Sequence, residues 1–174
     1  MKKLDVRQLT LSAMVAAIYF VLSYFGNIFG LTYGPVQCRF AEALCVLPFL
    51  FPSTIPGLFV GCLLTNLMST VPLDIVVGSL ATLLAAFWTS KMPNRYLAPL
   101  PPVICNGVIV GAMLTWYEVG FGEGFWSLFA FNGLSVAVGE LLACYILGSI
   151  LLYVLPRVPY LRRMMPRMSQ TSNA

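Results

Sequence analysis

Six long apolar segments, separated by short polar or proline- and glycine-rich stretches, make up most of this 174-residue chain. A helix of roughly 20 apolar residues is long enough to cross a lipid bilayer. The pattern therefore predicts an all-α integral membrane protein, a single domain built as a bundle of six transmembrane helices. We place the spans at about residues 9–29, 38–51, 55–70, 74–90, 102–116 and 125–155, followed by a basic tail at 156–174.

The second and third segments are short for a complete crossing, so a re-entrant hairpin is an alternative reading of that region. Nine of the ten basic residues lie at the N-terminus, in the loop around Lys91 and Arg95, and in the C-terminal tail. The positive-inside rule places all three segments, and therefore both termini, in the cytoplasm. Either two or four crossings before the central loop satisfy that rule. We favour four, which gives six crossings in total.

Composition narrows the class of protein further. The chain is 59% hydrophobic and 9% charged, whereas a soluble domain carries charge on roughly 25% of its residues. The net charge of +4 comes from short segments that flank the spans, which are topology signals rather than a nucleic-acid-binding surface. The chain has no His, and its five Cys lack metal-ligand spacing. We interpret these cysteines as small apolar residues in helices. We therefore expect no metal, no cofactor and no nucleic-acid partner.

Enzyme signatures are missing as well. The sequence contains no His-based triad, no metalloprotease motif and no phosphate-binding loop. The protein is therefore expected not to be an enzyme and not to hydrolyse ATP by itself. Active uptake through it would need a partner or an ion gradient.

Charged residues inside apolar segments need a reason, because each costs about 2.5–3.5 kcal/mol at the bilayer centre. Arg39 and Glu42 are three residues apart and share a helix face, either as an internal salt bridge or as a ligand clamp. Asp74 begins the fourth segment, where it either stabilises a helix N-terminus or contacts a ligand. Glu140 lies near the middle of the sixth segment, where neither capping nor snorkelling explains it. Glu140 is therefore the strongest functional candidate.

Amides and aromatic residues extend the candidate site toward the outer half of the bundle. The aromatic residues there form either an interfacial belt or a sandwich for a planar ring. They are Tyr33, Phe40, Trp116, Tyr117 and Trp126. Glu118 is ambiguous, because carboxylates are common in exposed loops. The candidate solute-binding residues are Arg39, Glu42, Asn66, Asp74, Asn106, Trp116, Glu118 and Glu140.

Small residues recur at four-residue spacing in four segments. Such pairs let helices approach closely in lipid, and they serve either internal packing or the docking of another membrane subunit. The pairs are Ala13 with Ala17, Gly57 with Gly61, Ala81 with Ala85, and Gly107 with Gly111.

Several ordered motifs resemble a known family. They are Val-Gln-Cys-Arg-Phe-Ala-Glu-Ala-Leu at 36–44, the stretch 74–86, Leu-Ala-Pro-Leu-Pro-Pro-Val at 97–103, and Val-Gly-Glu at 138–140. Together they resemble the QueT family, the queuosine-precursor substrate-binding subunits of energy-coupling factor (ECF) transporters. The likeness extends from about Leu9 to Leu155, and Cys38 stands where the family is expected to have Phe.

The resemblance implies a six-helix S component in a bacterial plasma membrane, acting with a membrane T component and two cytoplasmic ATPases. It implies that Ala13 and Ala17 face the T component, and that the substrate is a deazaguanine, the aminomethyl precursor of queuosine. A carboxylate can accept two hydrogen bonds from a guanine-type edge. We hypothesise that Glu140 meets that edge and that Arg39 orients Glu42. The alternative is a stand-alone proton-coupled carrier in which Glu140 or Asp74 is the proton site.

Overall fold

The computed structural model describes residues 5–28, 39–68 and 71–165, and these residues form helices and connecting turns without a strand. Two of the helices contain a π-helical segment. The helices are α1 (Val6–Ile28), a 3₁₀ helix (Phe40–Phe49), α2 (Ile55–Asn66), α3 (Pro72–Ser90), α4 (Leu100–Val119) and α5 (Phe125–Arg157), and a short helical turn follows at Pro159–Arg162.

Four of these helices, α1, α3, α4 and α5, are long and apolar enough to cross a membrane. They correspond to the first, fourth, fifth and sixth predicted spans. The second and third predicted spans are also helical, but the 3₁₀ helix has 10 residues and α2 has 12. The all-helical class with four candidate membrane spans is therefore confirmed, while six crossings and cytoplasmic termini stay predictions.

The 3₁₀ helix lies in the middle of the bundle, packed against α1, α3 and α5. Its residues from Ala41 to Pro48 are all buried, as expected for a helix that is apolar on every side. A 3₁₀ helix rises about 2.0 Å per residue, so ten residues reach about 20 Å, further than an α-helix of equal length. Runs of this length are uncommon in 3₁₀ form and often mark a functional region.

The four small-residue pairs separate into two groups. A Cβ at Gly57 would collide with the Ser12 backbone, and one at Gly61 would lie 2.9 Å from Tyr19 Cβ, so α2 packs closely on α1. Ala81 and Ala85 are likewise buried, and Gly107 and Gly111 pack against α5. In contrast, Ala13 and Ala17 are exposed on α1. The other three pairs serve internal packing.

The π-helical segments are Asn106–Val110 in α4 and Leu142–Gly148 in α5. The first packs against α5 and the second against the 3₁₀ helix. Such segments occur frequently at functional sites, because the extra residue interrupts the regular hydrogen-bond ladder. Both lie beside a polar candidate: Asn106 begins the first, and Glu140 lies just before the second.

Candidate functional site

Arg39 is the residue around which three polar side chains assemble. Its Nε lies 3.8 Å from Glu42 Oε1, and its Nη1 lies 3.7 Å from Asp74 Oδ2. Its Nη2 donates a 2.9 Å hydrogen bond to Asn66 Oδ1. Arg39 directly precedes the 3₁₀ helix, and Glu42 lies in the first turn of that helix, so the two side chains are close enough to meet. One guanidinium thus joins the 3₁₀ helix, α2 and α3.

Glu42 is almost completely buried and is also held by α1. Tyr19, which is fully buried, donates a 2.5 Å hydrogen bond from its hydroxyl to Glu42 Oε1. The Cys45 thiol donates to Glu42 Oε2 over 2.9 Å. Each carboxylate oxygen therefore has a donor from the protein, as a buried charge requires.

Asn66 fixes the start of α3 in this assembly. Its side-chain nitrogen donates to the Asp74 backbone carbonyl at 2.8 Å and lies 3.4 Å from both Ser79 Oγ and Cys62 Sγ. Asn66 ends α2, and Asp74 lies in the first turn of α3. The amide therefore links these two helices while its oxygen accepts from Arg39.

Glu140 forms a second polar centre with different partners. Asn106 Nδ2 donates a 2.6 Å hydrogen bond to Glu140 Oε1, and the Cys144 thiol lies 3.6 Å from Glu140 Oε2. The same thiol lies 3.2 Å from the backbone oxygen of Glu42. Cys144 therefore stands between the two centres, and Glu42 and Glu140 belong to one connected polar region.

The hydrogen-bonding groups left over in this region are mainly acceptors. Asp74 Oδ1 and Asn106 Oδ1 are buried without a hydrogen-bond partner among the described residues, and Arg39 Nε has only its long ion-pair contact to Glu42. The region also holds three carboxylates for one guanidinium. A donor-rich, positively charged ligand would satisfy both the free oxygens and the excess negative charge.

Comparison with known protein families identifies the family of this chain. The QueT transporter family matches residues 9–157, which is most of the sequence. The chain belongs to the QueT transporter family. The resemblance drawn from its motifs is therefore confirmed, and a transporter family is consistent with the expectation that the protein is not an enzyme.

One curated relative shares part of the chain. It is the "Queuosine precursor transporter QueT" of Lactococcus lactis subsp. cremoris (strain MG1363), 34% identical over 83 residues. The aligned region is 48% of this chain and 49% of the relative, so the match spans about half the length of each. No solved structure matches the chain.

The structure brings six of the eight candidate residues into the polar region: Arg39, Glu42, Asn66, Asp74, Asn106 and Glu140. It does not bring in the other two, because Trp116 and Glu118 are exposed at the end of α4. Of the other aromatic candidates, Tyr33 lies outside the described residues. Trp126 is 77% exposed and packs edge-on to Phe125 and Phe129, as in an interfacial belt.

Sequence reasoning missed three residues of this region: Tyr19, Cys45 and Cys144. Cysteines in apolar segments were interpreted as small apolar residues, and the four described ones, at 45, 62, 105 and 144, are indeed buried and free. Their role as thiol donors was not foreseen. For Cys45 the spacing offered a signal, because it lies three residues after Glu42. Nothing local to Tyr19 pointed to a partner 23 positions away.

Proposed function

We propose that this protein is the substrate-binding subunit of an energy-coupling factor transporter in a bacterial plasma membrane, and that it takes up the aminomethyl deazaguanine precursor of queuosine. The observation that carries the proposal is the connected polar region around Arg39 and Glu140. It lies within apolar helices, where polar groups are costly and are retained mainly for function. The family membership and the name of the Lactococcus relative support the choice of solute.

The chemistry of the region favours a cationic ligand. Asp74 Oδ1 is a buried carboxylate oxygen without a hydrogen-bond partner in the described chain, and we assign it to the ammonium group of the aminomethyl substituent. Glu140 and the free Asn106 Oδ1 are assigned to the N–H groups on the base edge. Charge-assisted hydrogen bonds of this kind are roughly twice as strong as neutral ones.

Two measurements test the proposed ligand. Native mass spectrometry of the purified protein should show a retained ligand with the mass of the aminomethyl deazaguanine. Calorimetry should then compare this compound with the deazaguanine that carries a nitrile in place of the aminomethyl group. The aminomethyl form should bind at least tenfold more tightly than this nitrile form, because the nitrile lacks the ammonium group. Equal affinity for the two forms would remove the role assigned to Asp74. If neither form bound, a deazaguanine substrate would be rejected.

We further propose that Ala13 and Ala17 form part of the docking face for the membrane T component, which works with two cytoplasmic ATPases. This pair is supported by its exposure, since the other three small-residue pairs are used inside the bundle. Ala17→Leu should leave ligand binding unchanged and should abolish ATP-dependent uptake in vesicles that contain all subunits. Ala130→Leu, which adds the same volume at an exposed position of α5, should leave both unchanged. Normal uptake by Ala17→Leu would exclude this docking face.

A proton-coupled carrier is the second candidate function, and one observation favours it. The described donors to Glu140 are an amide and a thiol, both neutral. A buried carboxyl without a cationic partner is typical of proton sites in transporters. Reconstitution of this protein alone in liposomes separates the two functions. Uptake driven by a proton gradient would support the carrier, whereas uptake only with the T component and ATPases would support the proposed subunit.

A further inference from the structure

A small surface pocket lies between the central loop and the last turns of α5, well apart in sequence from the residues of the polar region. Its volume is about 240 Å³, and it is lined by Arg95, Tyr96, Ser149, Leu152 and Tyr153. One wall therefore carries an arginine and hydroxyl groups, while Leu152 supplies an apolar surface. Such a mixed lining suits a ligand with a polar head and an apolar body.

Arg95 lines this pocket, and Arg157 lies beside it against the ring of Tyr153, which is a lining residue. The Arg95 guanidinium carbon lies 5.1 Å from the centre of the Tyr96 ring, and its Nη2 lies 3.3 Å from the Tyr96 hydroxyl. The Arg157 guanidinium carbon lies 3.8 Å from the centre of the Tyr153 ring. Stacking of this kind restricts a flexible side chain, and the N–H donors that are not used by Tyr96 can bind an anion.

Among the described residues, no carboxylate forms an ion pair with either of these arginines. All six acidic residues of the chain lie outside residues 91–117 and 141–174. The ion pairs found in the described part of the chain both belong to Arg39. The positive charge of Arg95 and Arg157 is therefore available to an anion from outside the chain.

The surface beside the pocket indicates where that anion comes from. α5 continues from Ser149 back into the bilayer with exposed apolar side chains, including Leu142 and Ile146. Tyrosines at the end of a span are typical of the headgroup level of the membrane. Basic pockets at this level bind anionic lipid headgroups. A soluble anion would use the arginines but would gain nothing from the apolar surface.

We propose that this pocket binds one anionic phospholipid, with its phosphate on Arg95 and Arg157 and an acyl chain along the exposed face of α5. The phosphate accepts the guanidinium N–H groups, which match its geometry in bidentate fashion. The site lies on the side of the membrane that carries the basic loop. It would link that loop to α5 and is independent of the solute carried.

Native mass spectrometry of the delipidated protein, titrated with dioleoyl phosphatidylglycerol or dioleoyl phosphatidylcholine, tests the site. Wild type should retain one phosphatidylglycerol at least tenfold more tightly than phosphatidylcholine. The double variant Arg95→Gln/Arg157→Gln should lose that preference, because both phosphate contacts are gone. The control Arg162→Gln/Arg163→Gln removes the same charge from exposed residues nearby and should change affinity by less than twofold. Excess inorganic phosphate should not displace the lipid.

Three outcomes would overturn the proposal. Equal losses in the two double variants would indicate a general attraction between basic residues and an anionic surface. Displacement by inorganic phosphate would indicate a soluble-anion site, and equal retention of the two lipids would indicate no headgroup recognition. Arg95→Lys/Arg157→Lys keeps the charge and removes the planar donors. Its preference for phosphatidylglycerol should therefore lie between that of wild type and that of the glutamine variant. It also keeps the test decisive if the glutamine variant does not fold.

Discussion

The centres around Glu42 and Glu140 are both buried carboxylates on apolar helices, yet the protein satisfies them in different ways. Glu42 lies beside a guanidinium and accepts from the Tyr19 phenol and the Cys45 thiol. Glu140 accepts from the Asn106 amide and lies near the Cys144 thiol, and both of these groups are neutral. The first centre is tied to α1 by the Tyr19 phenol and to α2 and α3 by the Arg39 guanidinium, whereas the hydrogen bond between Glu140 and α4 comes from a neutral amide.

This difference predicts a division of roles. A carboxylate with a nearby cation and two further donors is part of the framework, because removing its cation leaves uncompensated charge in a low-dielectric interior. A carboxylate whose donors are all neutral can still accept hydrogen bonds from a ligand or bind a proton. Substitutions that remove the partners of Glu42 should therefore act on stability, and those at Glu140 should act on binding.

The largest expected effect is that of Arg39→Gln. The substitution leaves Glu42 and Asp74 without their shared cation and should lower the free energy of unfolding by about 3–5 kcal/mol. Denaturant titration of the purified protein in detergent measures it. Arg39→Lys should recover only part of the loss, because one ammonium cannot reproduce the fork that reaches Glu42, Asn66 and Asp74. If Arg39→Gln lowered the free energy of unfolding by less than about 1 kcal/mol, the proposed division of roles between the two centres would be contradicted.

Glu140→Gln should show the reverse behaviour. The amide keeps the shape of the side chain, so unfolding should change little. The binding free energy of the aminomethyl deazaguanine should weaken by about 1.5–3 kcal/mol, because a charged partner is lost. This corresponds to a loss of affinity of about tenfold or more. Calorimetry with Glu118→Gln, an exposed carboxylate on α4, provides the control. Wild-type affinity in Glu140→Gln would exclude Glu140 from the ligand contacts assigned to it.

Much of the fold followed from the apolar pattern, and the exceptions have a physical cause. The spans corresponding to α1, α3, α4 and α5 were predicted, because lipid requires long apolar helices that satisfy their own backbone groups. The 3₁₀ geometry of Phe40–Phe49 was not predicted. Apolar composition on all sides indicates burial but does not distinguish an α-helix from a 3₁₀ helix.

The site was predicted to the extent that polarity in an apolar segment is visible in a sequence. Six of the eight candidates meet in one region for that reason. Trp116 and Glu118 were included because they lie at the outer ends of spans, and position along the chain does not indicate which way a side chain faces. Tyr19 was missed for a related reason, since tyrosine is amphipathic and is common in membrane helices without a polar partner.

Tyr19→Phe tests whether the hydrogen bonds to Glu42 contribute to the stability of the fold. It removes one donor from a buried carboxylate while keeping the aromatic ring and the Cβ that lies against Gly61. A hydrogen bond to a charged group contributes about 1.5–3 kcal/mol, and the lower end applies here because Cys45 and Arg39 remain. The free energy of unfolding should therefore fall by about 1.5 kcal/mol. Tyr24→Phe, on the exposed face of α1, should have no measurable effect. Equal values for the two variants would contradict the role of Tyr19.

The smallest expected effect is that of Cys144→Ala, which tests how separate the two centres are. The thiol lies within reach of both Glu42 O and Glu140 Oε2, but a thiol is a weak donor. Its removal should lower the free energy of unfolding by less than about 1 kcal/mol and should leave ligand affinity within threefold. If the two centres are independent, the changes in the free energy of unfolding caused by Tyr19→Phe and by Glu140→Gln will be additive. They will remain additive when Cys144→Ala is present. A loss of affinity as large as that of Glu140→Gln would show instead that Cys144 couples the two carboxylates into one functional unit.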